Sequence, residues 1–280
     1  YVVFDGLTLE PLAVEGVLGK SIDGDDLDEV RVASIVAVPG ATEWALALKE
    51  SGHVGIVDYA KPGFPMVSRI AAERFLHDGG LDATGRYFLV AANATNRMVA
   101  IDLKEHKLAA SFETGVLPHP GRGANWIDPT FGRVGATTHM GENTLAIFGA
   151  DPEGQPQNAW KVVREVTLPA AGSLFLKTHP ASPWVVADMT LATDTKAMRQ
   201  LCAYGKQAGK IDHCFEVTTH GKVVHPEFNR AGDEVWVSVW DTDGELVVYD
   251  STSLAEKARI TGLKTPTGKF NVYNTAHDVY

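Results

Sequence analysis

Short apolar runs that each end in an aspartate recur along the chain. Val2-Val3-Phe4-Asp5, Gly55-Ile56-Val57-Asp58, Val99-Ala100-Ile101-Asp102, Ile147-Phe148-Gly149-Ala150-Asp151 and Val247-Val248-Tyr249-Asp250 share this form. The intervals between those aspartates are 53, 44, 49 and 99 residues, the last being about two periods. Each unit also holds an earlier apolar run: Trp44–Leu48, Tyr87–Ala91, Gly135–His139, Trp184–Ala187 and Glu234–Trp240. Near-continuous apolar runs of this length read as strands buried on both faces. A period near 50 residues built from such strands predicts an all-β fold, a β-propeller of four-stranded blades. The chain then reads as one propeller domain over residues 1–280, with about five units and partial ones at both ends. The aspartate after each run is expected to open a turn by accepting backbone N–H bonds. Gly85 and Gly232 punctuate the turns before two of the strands. Leu191–Gln200 reads as a short helix or outer loop without a strand-ending aspartate, so its unit is the least regular. The acidic stretch Asp23–Glu29 reads as a solvated loop.

Composition narrows the class of function. Hydrophobic residues make up 45% of the 280 and charged residues 21%, enough for a sizeable core. The net charge of −10 argues against nucleic acid or an anionic membrane as the main partner. No apolar run reaches the ~18 residues that a membrane-spanning helix needs. The chain begins at Tyr1 without Met or a signal-peptide pattern, which reads as a mature or partial chain. Neither Cys202 nor Cys214 lies in a Cys-x-x-Cys-His motif, so no covalent c-type haem site is expected here. Residues 203–210 between them read as a turn, and a disulfide across it and two buried thiols both remain open.

The candidate chemistry lies between Arg74 and Asn125. His77 and His119 head two similar modules, 42 residues apart, about one blade. Arg122 follows the second. A histidine pair near an anion-binding arginine suits proton delivery to a bound anion. The alternative is that each histidine caps a turn or satisfies a buried backbone group. His139 and His179 lack a cysteine or a third spaced ligand, so they read as turn or strand histidines and not as a zinc site.

Phe75-Leu-His-Asp-Gly-Gly80 and Pro118-His-Pro-Gly-Arg-Gly-Ala-Asn125 resemble the haem d1 domain of the cytochrome cd1 nitrite reductase family. Asp151-Pro-Glu-Gly, Lys177-Thr-His-Pro180 and Thr265-Pro-Thr-Gly-Lys-Phe-Asn-Val-Tyr-Asn-Thr275 extend the resemblance over most of the chain from about Ala72 onward. It implies the C-terminal part of an eight-bladed haem d1 propeller, with two or three N-terminal blades, the c-haem domain and the proximal iron ligand outside this chain. It implies reduction of nitrite to nitric oxide, with His77 and His119 as the catalytic proton donors. Arg122, Phe175, His225, Thr267 and Gly268 are the implied contacts to haem d1, and no metal ligand is assigned. A periplasmic homodimer supplied with electrons by a small c-type cytochrome or cupredoxin is implied as well. His225 departs from the glutamine common in these reductases. That departure, and a nearby loop that looks shorter, suit a related dehydrogenase that converts dihydro-haem d1 to haem d1. A third reading is a propeller scaffold that binds a protein and no cofactor.

Overall fold

The computed structural model describes residues 1–266. The fold is all-β and divides into two compact units, Tyr1–Phe112 and Glu113–Tyr280. In the first unit β1 (Val2–Phe4) and β2 (Pro11–Val14) form a two-stranded ribbon. Next come β3 (Val32–Ala37), β4 (Glu43–Leu48), β5 (His53–Asp58) and β6 (Met66–Ala71), a four-stranded sheet whose strands neighbour one another in chain order. A second such sheet holds β7 (Leu76–Leu81), β8 (Tyr87–Ala92), β9 (Arg97–Asp102) and β10 (Lys107–Glu113). Val36, Ala45, Val54 and Ile56 of one sheet pack with Leu76, Phe88, Val90 and Val99 of the other.

The second unit repeats the blade three times. Its sheets are β11 (Ala124–Asp128), β12 (Gly132–Thr137), β13 (Thr144–Gly149) and β14 (Val162–Thr167); β15 (Leu176–Thr178), β16 (Trp184–Ala187), β17 (Gln200–Gly205) and β18 (Lys210–Glu216); and β19 (Lys222–Phe228), β20 (Glu234–Trp240), β21 (Gly244–Asp250) and β22 (Glu256–Leu263). Strands β15 to β17 of the middle sheet are buried on both faces, and their side-chain alternation divides two cores. Val185, Ala187, Cys202 and Tyr204 join one core, with Trp126 and Ile147. Val186, Leu201 and Ala203 join the other, with Val223 and Val237. This is why its strands read as continuous apolar runs.

The strand-ending aspartates are turn formers. Asp5, Asp58, Asp102, Asp151 and Asp250 each use one carboxylate oxygen to accept N–H bonds from residues two or three further on, at 2.8–3.1 Å. Asp128 does the same at the end of β11. Gly85 and Gly232 have φ of 72° and 73°, as their turns require. The sheet with Leu191–Gln200 is the least regular, with a three-residue β15 and a short 3₁₀ turn at Ala197–Arg199.

Cys202 and Cys214 are directly opposite in the β17–β18 register and are joined by a disulfide, with their Cα atoms 4.0 Å apart. The turn between them is shorter than the sequence suggests, because β17 runs through Gly205 and β18 starts at Lys210. Among the described residues no helix is long and apolar enough to cross a membrane.

Candidate functional site

The site is built in the second unit from the segment before β11, the segment before β15, and a bulge in β19. His119 is buried, 6% exposed, and its backbone is tied to Thr138: its N–H donates to the Thr138 carbonyl at 2.8 Å, and Thr138 Oγ1 donates to the His119 carbonyl at 3.2 Å. Its Nδ1 lies 2.7 Å from the Leu174 carbonyl oxygen. A carbonyl only accepts, so Nδ1 carries a hydrogen and Nε2 is the ring position that exchanges protons.

Phe175 stands edge-on to the His119 ring at 5.6 Å and packs against the His225 ring at 3.7 Å, centroid to centroid. Gly121 has φ of 60°, and a Cβ there would collide with the Phe175 ring. Glycine at this position therefore serves both the left-handed turn and the close approach to the aromatic face. His225 has φ of 51° at a register shift in β19, where the pairing jumps from Val224↔Ser238 to Glu227↔Trp236. Such a bulge re-aims the side chain that it carries.

The exposed Arg122 follows Gly121, and near it lie Lys177 of β15 and Glu227 of β19, whose charged atoms are 3.8 Å apart. Burial pushes the Lys177 ammonium below the ordinary lysine range; Glu227 opposes this and Arg122 adds to it. Burial likewise pushes the Glu227 carboxyl up, against Lys177 and Arg122. Two cations around one carboxylate leave a net positive corner beside the Phe175–His225 surface.

Comparison with known proteins decides the family. The family described as Cytochrome D1 heme domain matches residues 1–275. The chain belongs to the cytochrome D1 heme domain family. A nitrite reductase of Stutzerimonas stutzeri is 41% identical over 300 residues, covering 100% of this chain and 54% of the relative. A dihydro-heme d1 dehydrogenase of Pseudomonas aeruginosa is 32% identical over 248 residues, covering 87% and 47%. The chain thus spans about half the length of these curated relatives. The solved structure of dihydro-heme d1 dehydrogenase NirN in complex with DHE superposes with a TM-score of 0.78 at 26% identity, over 97% of this chain and 54% of that one. Hydrazine synthase of Kuenenia stuttgartiensis shares the fold, with a TM-score of 0.67 at 13% identity, over 91% of this chain and 75% of that one.

For a cytochrome D1 heme domain, the arrangement in the second unit fits an anionic, flat cofactor. It combines an aromatic surface, a glycine turn with no room for a Cβ, and a net positive corner. His119, Arg122, Phe175 and His225 all contribute to this second-unit site. His77 lies in the first unit, on β7, half-buried, with Nδ1 3.3 Å from Asp78 Oδ1 and its carbonyl accepting from Ser34 Oγ at 2.9 Å. Thr267 and Gly268 lie outside the described residues. His139 and His179 tie turns: Nδ1 of His139 donates to the Thr144 carbonyl, and Nδ1 of His179 accepts the Ala181 N–H.

Sequence reasoning missed Asp188. It is fully buried and accepts N–H bonds from Leu174 at 2.8 Å and Phe175 at 3.1 Å. Burial pushes its carboxyl up to about 6, even against those bonds. Its available signal was position: it ends a second strand of a blade, β16, whereas most of the turn-forming aspartates noted in the sequence end third strands.

Proposed function

We propose that this chain is the haem d1-binding part of a nitrite reductase that forms nitric oxide. The observation that carries this reading is the fixed His119 imidazole, with Nδ1 on the Leu174 carbonyl and Nε2 as its exchanging position. The higher identity to a nitrite reductase, over the whole chain, supports it. Converting nitrite to nitric oxide and water consumes one electron and two protons. Haem d1, when bound, would supply the iron that holds nitrite and the electron. The chain's own residues then supply protons and binding. His119, held through Nδ1, is assigned to carry one proton at Nε2. The second is assigned to His77 on the family resemblance. Arg122, with Lys177 behind it, binds a cofactor carboxylate by charge-assisted hydrogen bonds. Phe175 and His225 pack against the macrocycle, and Thr267 and Gly268 are assigned to the cofactor on the family resemblance alone. Electron delivery by a small c-type cytochrome or cupredoxin, a haem c elsewhere in the whole protein, a homodimer and a periplasmic location belong to the same proposal. The Cys202–Cys214 disulfide supports an oxidising compartment.

The test is nitrite turnover by the whole protein loaded with haem d1 and reduced. Nitric oxide is the expected product, and its absence would end this reading. A second reading is favoured by His225, a titratable ring where the resembling reductases commonly carry glutamine, and by the likeness to NirN. The chain would then oxidise dihydro-haem d1, and His225 would take up a proton as a bond to hydrogen is broken. Incubating the protein with that precursor and an electron acceptor, without nitrite, separates the two. Spectral conversion supports the dehydrogenase, and an unchanged precursor spectrum counts against it.

A further inference from the structure

We propose that Asp188 is a positioning residue for the site: through one peptide group it fixes the ring of His119, and with the same carboxylate it anchors Phe175 and His225. The peptide in question joins Leu174 to Phe175. Its carbonyl, on Leu174, accepts from His119 Nδ1 at 2.7 Å, and its N–H, on Phe175, donates to Asp188 Oδ1 at 3.1 Å. Asp188 and His119 therefore occupy opposite ends of a single peptide dipole. A carboxylate at the N–H end polarises the group and makes the carbonyl a stronger acceptor, as in any hydrogen-bonded chain. The pairing is reinforced from three sides. The Leu174 N–H donates to the same oxygen at 2.8 Å. The Asp188 N–H returns a bond to the Phe175 carbonyl at 3.1 Å. Ser173 Oγ, between Asp188 and Thr138, donates to Thr138 Oγ1 at 2.8 Å, and Thr138 in turn holds the His119 carbonyl.

The other carboxylate oxygen faces the His225 N–H at 3.4 Å. That residue sits in the left-handed region, which a histidine occupies only when its surroundings hold it there. One buried carboxylate thus reaches the three residues whose rings form the second-unit site. Asp188 touches none of the reacting groups and acts through them. An aspartate suits this place because the backbone N–H groups of Leu174, Phe175 and His225 face it: a carboxylate only accepts, whereas an amide would place its own N–H against one of theirs.

The rate part of this inference rests on the proposed nitrite chemistry; the structural part does not. The experiment uses whole protein labelled with ¹⁵N at histidine, wild type and Asp188→Asn, with ring ¹⁵N signals read by NMR before and after loading with haem d1. In the wild type His119 is expected to carry hydrogen at Nδ1. In Asp188→Asn that signal should move towards a mixture of ring forms. Nitrite reduction in a single turnover should then fall about 10–100-fold, with KM for nitrite changing less than kcat. An unchanged His119 signal in the folded variant overturns the proposal, whatever its rate. A wild-type ring bare at Nδ1 overturns it even if Asp188→Asn does not fold. Wild-type protein that takes up no haem d1 would instead remove the functional reading and leave the ring measurement standing.

Discussion

In β7 the pairing with β8 jumps from Leu76↔Ala92 to Gly79↔Val90; in β19 the pairing with β20 jumps from Val224↔Ser238 to Glu227↔Trp236. Each bulge sets two residues of the first strand against one of the second, and the first residue of each pair is a histidine, His77 or His225. The supports differ. His77 has a carboxylate beside it, Asp78 at 3.3 Å, and is followed by Gly79 and Gly80, which let the chain rejoin the sheet tightly. His225 is followed by Pro226, its ring lies against Phe175, and its amide faces Asp188. A bulge aims a side chain, and its neighbours decide what the side chain can do. An imidazole beside an acid is set up for proton exchange, and one packed against a phenyl ring is set up as a surface.

That contrast can be broken by mutation, and the largest effect expected is on rate. His77→Ala should slow nitrite reduction about 10²–10⁴-fold with haem d1 retained, the usual range for a lost general acid. His225→Gln should change it by less than about threefold. Single-turnover kinetics on haem-loaded protein checks both, and the reverse ranking would make His225 the proton carrier and favour the dehydrogenase.

The next effect is on the pH dependence of stability. The Asp188 carboxyl titrates at about 6 in the fold, and an unfolded aspartate near 3.9. Between those values the folded state binds the proton more tightly, so this group's contribution falls as pH rises through about 4 to 6, by roughly 3 kcal/mol in all. Asp188→Asn should remove that slope. Urea unfolding of both proteins at pH 4 and pH 7 measures it, and a constant difference between them would show that Asp188 titrates normally.

Packing at the two bulges should differ by less. A Cβ on Gly79 would lie 2.6 Å from the Leu89 carbonyl oxygen and 2.8 Å from Val90 Cα, both backbone atoms that cannot move aside. Gly79→Ala should therefore cost about 1–3 kcal/mol. The smallest change expected is at the other bulge. His225→Asn keeps a residue type that tolerates the left-handed region but loses the ring contact with Phe175, for a net change within about 1.5 kcal/mol. Thermal unfolding of the two variants side by side tests the ranking.

Much of the scaffold was legible in the sequence because its signals are local. A strand and the aspartate that ends it are adjacent, and the turn bonds of Asp58 or Asp102 span only two or three residues. The site was legible in part. Motifs marked His119 and Arg122, but the buried carboxylate beside the site bonds across long separations: Asp188 reaches 13 and 14 residues upstream and 37 downstream. Val185-Val186-Ala187-Asp188 has the local form of a turn former, and only its place at the end of a second strand sets it apart. His225 ran against the local rule outright, since a residue before proline is expected in an extended conformation. The cysteines were undecided because only the strand register puts them face to face.

That register ties the Cys202–Cys214 bond to the alignment of two strands. A slip of one residue between β17 and β18 would turn the two sulfurs to opposite faces and exchange the sets of side chains that the strand feeds to its two cores. The sulfurs meet only in the native alignment. The bond therefore fits the aligned hairpin and not one slipped by a residue.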